Sequence, residues 1–290
     1  MNPFKIIKTR YVFLLMITYL AVNIVFDIWF DVENNVLEAL LTQIGFQLVI
    51  IFWMFYEMLQ VNKRVDFKIK HFFQDDQKSN GFSIIYLIFL FISLIFSVII
   101  SSSILQLMPD FIQEYLNNLM TNYENAVVFS QDATFLISTL QFLTIVVLAP
   151  IMEEFLYRGF LINRLSLKFG LGWGVFISTL LFTIGHGDII SSFIKGYAFS
   201  IIYVKTKSLK IPIIFHVLNN LFAFTLFKTF DASKMDSLQI PEFIAVILFL
   251  LLIISFPILI HFFYMYRVRD EKISPFEKIF KGDELDVQDE

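Results

Sequence analysis

Along this chain the polar and charged residues come in short clusters. Between the clusters run stretches of about 20 mostly apolar residues, the length a helix needs to cross a bilayer with its backbone groups bonded internally. Eight stretches qualify: Tyr11–Phe30, Val36–Met58, Phe82–Met108, Ala133–Met152, Gly170–Gly187, Ile189–Val204, Ile211–Phe227 and Phe243–Tyr266. The sixth is the weakest, being short and carrying Lys195. The first is too long for a removed signal peptide and lacks a small-residue cleavage site, so it reads as a retained helix. The pattern predicts an all-α fold, a polytopic membrane bundle of about eight transmembrane helices.

Charge placement gives that bundle an orientation. Lys5, Lys8 and Arg10, then Lys63, Arg64, Lys68, Lys70 and Lys78, then Arg158, Arg164 and Lys168, then Lys205, Lys207 and Lys210, then Arg267, Arg269, Lys272, Lys278 and Lys281 all fall on one side of an eight-helix weave. Lys195, Lys228 and Lys234 do not. Basic loops stay in the cytoplasm, so both termini are expected there, in the cell membrane if the source is bacterial. No repeat or long linker divides the chain. Three regions are expected: residues 1–132, three helices and an outer polar segment; 133–230, a polar-bearing core; and 231–290, the last helix and a cytoplasmic tail. The outer segment, Pro109–Asp132, has acidic residues and no Lys or Arg. It reads either as an amphipathic helix around Phe111–Leu119 lying on the surface or as a solvated loop. The acidic end of the tail reads as disordered.

Composition agrees and narrows the chemistry. The chain is 57% hydrophobic, 18% aromatic and only 17% charged, too apolar for a soluble domain of 290 residues. Its 37 Phe read as core packing and lipid-facing surface. Cys is absent, which excludes disulfides, thiolate metal sites and a cysteine nucleophile. The expected partners are the lipid bilayer and a peptide or membrane-protein substrate, with no nucleic acid.

Ionisable residues at membrane depth cost about 3 kcal/mol each on insertion scales, so each one calls for a pairing or a function. The fourth stretch ends in Pro150, Ile151, Met152, Glu153, Glu154 and continues to Arg158. On a helix Glu154 and Arg158 share a face and pair, whereas Glu153 points about 100° away and stays available. The fifth stretch carries Phe182 and His186, and the seventh carries His216 and Asn220, each pair four apart. Three helices thus offer a Glu, two His and an Asn to one interior, a set suited to hydrolysing an amide where water is scarce. In this reading Glu153 is the general base toward a water fixed by His186 and His216, directly or through a metal ion, and Asn220 donates to the developing oxyanion.

These residues, Glu-Glu-x-x-x-Arg (Glu153, Glu154, Arg158), Phe-x-x-x-His (Phe182, His186) and His-x-x-x-Asn (His216, Asn220), resemble in order and spacing the three motifs of the CPBP family. That family comprises CAAX proteases and bacteriocin-processing or bacteriocin-immunity proteins and is also called the Abi family. The resemblance covers roughly Ala133–Phe227. It implies an intramembrane endopeptidase in which Glu153 is catalytic and Glu154 with Arg158 is a buried structural pair. His186 and His216 would hold a water or metal, and Asn220 would stabilise the transition state. Glu153, His186 and His216 match a three-ligand catalytic zinc set and equally a metal-free water site, so the cofactor stays open. The His-Glu-x-x-His signature of soluble zinc proteases is missing.

Other readings are weaker. Gly185, Gly187 and Asp188 spell the Gly-x-Gly-Asp of presenilin-like aspartyl proteases, but neighbouring stretches offer no second Asp and Asp27 is remote. No Gly-x-Ser setting suggests a rhomboid-type serine protease. His71 and His261 receive no role. A catalytically silent scaffold or immunity protein of the same fold is the alternative, and a proton-coupled transporter a more distant one. The helix register leaves a puzzle: His186 lies roughly 24 Å along the fifth stretch, but His216 only about 9 Å past Lys210. It is resolved if Arg158 is buried with Glu154, or if Gly170, Gly172 and Gly174 let the fifth helix start early or tilt. Pro150 is expected to break the fourth helix just before the glutamates.

Overall fold

The computed structural model of the protein describes residues 36–62, 72–73, 82–126, 134–229, 242–268 and 275. Their regular structure is helical, as the apolar pattern predicts. The described helices are α1 (Val36–Asn62), α2 (Ile84–Gln106), α3 (Asp110–Ala126), α4 (Phe135–Phe169), α5 (Leu171–Ile184), α6 (Ile189–Thr206), α7 (Lys210–Thr229) and α8 (Glu242–Met265). The expected first span, Tyr11–Phe30, lies outside the described residues.

Against the eight spans expected along the whole chain, three helices among the described residues meet the length and apolarity of a span. Leu40–Gln60, Ile84–Gln106 and Phe135–Phe169 are long and apolar enough to cross a membrane, while Leu171–Ile184, Lys210–Leu226 and Phe249–Met265 are shorter apolar helices. The outer segment resolves in favour of a helix, α3, with Phe111 and Tyr115 exposed on it.

The largest departure concerns α4. The expected break at Pro150 does not occur: the helix runs 35 residues from Phe135 to Phe169. It widens instead into two π-helical segments, Phe142–Leu148 and Glu154–Ile162, with a short α-helical piece, Ala149–Glu153, between them. A proline inside an α-helix clashes with the carbonyl four residues earlier. Widening the preceding turn moves that carbonyl away, so the chain bulges where a break was expected.

Beyond Phe169 the chain reverses in one residue, Gly170, whose φ of 92° is closed to most side chains. Helix α5 then returns along α4. Gly174 lies so close to Ser166 that a β-carbon there would come within 2.8 Å of its backbone nitrogen, and Ser178 Oγ donates to the Tyr157 carbonyl at 2.8 Å. Helix α6 runs back beside α5 and is tied to α2 by Ser97 and Ser191 (2.8 Å) and by Ser101 Oγ donating to Asp188 (2.6 Å). Lys207 in the left-handed conformation ends α6 and turns the chain into α7. Two apolar cores result. One joins α1, α4, α5 and Phe72; the other joins α2, α6, α8 and Phe215 of α7. Many large side chains face outward, among them Phe52, Ile84, Phe135 and Trp173. On a soluble protein such patches would promote association, and on this one they are the surface lipid would cover.

Candidate active site

The wide turn Glu154–Ile162 sits where α4 is enclosed by α5, α6 and α7, and it carries the most buried charges of the site. Arg158 Nη1 donates to Glu154 Oε1 at 2.9 Å, with both side chains fully buried. The spacing rule therefore predicts this pair correctly. Arg158 Nη2 donates to the Gly196 carbonyl at 2.8 Å, and the guanidinium lies 4.5 Å from the centre of the Phe182 ring. Gly196 permits this approach: a β-carbon there would stand 2.8 Å from Phe182 Cδ1 and 3.4 Å from Arg158 Nη2.

Glu154 has a second partner that sequence spacing does not reveal. His216 Nδ1 lies 2.9 Å from the same oxygen, Oε1, across 62 residues. An acceptor already shared with a guanidinium takes a hydrogen bond from the imidazole, so Nδ1 is the donor and Nε2 faces Glu153. Phe182 and Phe199 flank this ring at 5.7 and 5.5 Å. Phe199 and Gly196 escaped the sequence reading because α6 drew notice only for Lys195. Their spacing of three residues on a helix was the available signal.

His186 does not lie on a helix. Helix α5 ends at Ile184, and His186 stands in the turn leading to α6. Its Nδ1 is 2.8 Å from the Phe182 carbonyl, which only accepts, so here too Nδ1 is the donor, and Nε2 faces Glu153. Its ring packs on Phe182 at 4.3 Å. A carbonyl near the helix end thus fixes the ring, a satisfied end group and a positioned histidine at once.

Both Nε2 atoms converge on Glu153. His186 Nε2 is 3.8 Å and His216 Nε2 is 3.7 Å from Glu153 Oε2, and one ligating atom from each of the three residues lies within 4.8 Å of the others. Glu153 Oε2 is buried and makes no hydrogen bond among the described residues. The side chains of Glu153 and His186 keep 19% and 23% of their exposure, against 4% for His216, so access is from the His186 side. Three electron-pair donors held just beyond mutual hydrogen-bond range make a binding place for a water or a cation.

Asn220 is placed differently. Its Nδ2 donates to the Ile145 carbonyl at 2.9 Å, and its Oδ1 accepts from Asn219 at 3.3 Å. Asp188, the acid of the alternative Gly-x-Gly-Asp reading, caps α6 by accepting from the Ser191 backbone. His261 Nδ1 faces the Tyr86 hydroxyl at 3.3 Å, away from the site's contacts; His71 and Asp27 lie outside the described residues.

Residues 135–222 match the family model described as Type II CAAX prenyl endopeptidase Rce1-like. The match begins at the start of α4, ends within α7 and contains all seven residues singled out by the motifs. No curated protein and no solved structure matches the chain. The matched family and the apolar helices together support an integral membrane protease.

Proposed function

From the match of residues 135–222 to the Rce1-like CAAX prenyl endopeptidases and the convergence of three donors, we propose that the chain is an intramembrane endopeptidase. Glu153 is its general base. A water held between Glu153 Oε2 and the two Nε2 atoms gives a proton to the carboxylate while its oxygen attacks the carbonyl carbon of the scissile peptide bond. The carbon–nitrogen bond then breaks, and Glu153 returns the proton to the departing amine. His186 and His216 act by orientation: Phe182 and Glu154 accept at their Nδ1 atoms and fix both rings, and the water, which has two hydrogens, gives one to Glu153 and hydrogen-bonds through the other to one of the two Nε2 atoms.

The same atoms fit a divalent ion. Donors about 2.0–2.1 Å from one tetrahedral zinc stand roughly 3.4 Å apart, near the separations present here. Glu153, His186 and His216 would hold such an ion, which would supply Lewis-acid polarisation of the water. Glu154 would then orient His216 from behind, as carboxylates commonly do for metal-bound histidines. For Asn220 the resemblance gives an oxyanion role, but in the structure that amide is already engaged by the Ile145 carbonyl.

The observation that carries the reading is the convergence of two imidazole Nε2 atoms, at 3.8 and 3.7 Å, on the buried Glu153 Oε2. Comparative peptidomics of cells with the wild-type chain and with Glu153→Gln tests it. Peptides present only with the wild type are expected. Identical peptidomes at equal protein levels would point instead to a silent scaffold or immunity protein. Metal analysis of the purified protein, repeated with His186→Ala, decides between ion and water.

A further inference from the structure

We infer that Asn220 is a positioning residue: its side-chain amide replaces the backbone N–H that Pro150 lacks, and so secures the wide turn that aims Glu153. The inference rests on the reading of Glu153 as the base, but it stands on different atoms.

In the first π-helical segment of α4 the backbone bonds reach back five residues, as in Ala149 N–H donating to the Thr144 carbonyl. The next donor in that register would be residue 150, reaching the carbonyl of residue 145. Residue 150 is a proline and has no N–H. The Ile145 carbonyl is thereby deprived of its partner inside an apolar bundle, where an unpaired carbonyl is costly. Asn220 Nδ2 donates to that carbonyl at 2.9 Å. The register also ends there, since the Glu154 N–H already bonds at α-helical and shorter spacing, to Pro150 and Ile151.

The consequence for the site is rotational. A wide turn carries an extra residue, and Pro150 keeps it from closing to α-helical geometry, so without the bond to the Ile145 carbonyl the turn would slip or break there and rotate every following side chain about the helix axis. Glu153 is three residues beyond Pro150, and a rotation there swings its carboxylate away from His186 and His216. Helix α7 therefore grips α4 at two points with one motif: His216 on Glu154, beyond the proline, and Asn220 on Ile145, before it. The four-residue spacing of the motif spans the bulge.

A double-variant cycle tests this. Asn220→Ala should lower kcat by about tenfold or more, with KM little changed, because the base is displaced while the substrate's binding surface is not. It should also lower the thermal midpoint in detergent by a few degrees. Pro150→Ala alone should be near wild type in both. In the double variant the new backbone N–H can bond the Ile145 carbonyl, so both kcat and midpoint should recover most of what Asn220→Ala lost. A donor to the oxyanion would not be replaced by an N–H at residue 150. A double variant no better than Asn220→Ala in either measurement overturns the inference, as does a Pro150→Ala variant that is itself crippled. Asn220→Asp, isosteric but unable to donate when ionised, should behave like Asn220→Ala; a wild-type profile for it also overturns the inference. If no Glu153-dependent proteolysis is found, the proposed function fails, while the midpoints still report on the inferred bond.

Discussion

At the scale of single residues, the two adjacent glutamates divide the work by environment. Glu154 is fully buried and shared between Arg158 and His216, whereas Glu153 faces two imidazole Nε2 atoms and retains some exposure. Glu153→Gln keeps the shape and removes the base, so proteolysis should fall about 100-fold or more while expression and thermal midpoint stay at wild-type values, since general-base removal costs of that order. Residual processing within a few fold of wild type, measured on the same purified substrate, would reassign the base. Removing Arg158 should act differently. It leaves buried carboxylates without their cation, a change worth about 3–5 kcal/mol, so Arg158→Ala should lower the thermal midpoint by many degrees as well as activity. A stable, inactive Arg158→Ala protein would mean that the guanidinium acts in chemistry. The spacing of Glu154 and Arg158 made this pair legible in the sequence. The third partner, His216, was not legible as such, because nothing local in a chain tells which of two carboxylates a residue 62 positions away will meet.

At the scale of elements, the local rules erred where neighbours overrode them. Proline opposes an α-helix, and read alone Pro150 predicts an interruption; the structure keeps the helix by widening it, with a side chain from α7 completing the bonding. His186 was misplaced for a similar reason. The apolar run through Gly187 looks continuous, but two glycines flank His186 and the helix stops at Ile184. Glycines matter here only where backbones touch, which yields a contrast between two sites. A β-carbon at Gly174 would meet Ser166 Oγ at 2.5 Å and its backbone nitrogen at 2.8 Å, while at Gly45 of α1 nothing lies within 4 Å. Gly174→Ala should therefore force α4 and α5 apart and cost about 1–3 kcal/mol. Gly45→Ala should be neutral or stabilise by up to about 1 kcal/mol through helix propensity. Parallel thermal melts in one detergent check the pair, and equal midpoints would mean that the tight α4–α5 turn does not persist outside the bilayer.

At the scale of the whole molecule, the apolar pattern made the helical class legible, but not how many helices cross. Span counting assumes that each apolar run is an independent rod, whereas α5 has only 14 residues, about 21 Å at 1.5 Å per residue, short of a hydrocarbon core of about 30 Å. This helix packs against α4 and α6, and its early end is what delivers His186 beside Glu153. Orientation follows from charge alone, and it is open to a direct test because the chain has no cysteine of its own. Single cysteines can be placed on exposed positions without background: Asn117→Cys on the acidic, amphipathic α3, and Lys205→Cys at the basic end of α6. If basic residues are retained in the cytoplasm, a membrane-impermeant maleimide should label the cysteine at 117 in intact cells and reach the one at 205 only after permeabilisation. Labelling of both from outside would place α3 and the α6–α7 turn on one face. An even number of crossings would then lie between them, where the expected arrangement has three, and the route by which a substrate reaches the His186 side of the site would have to be drawn from the opposite leaflet.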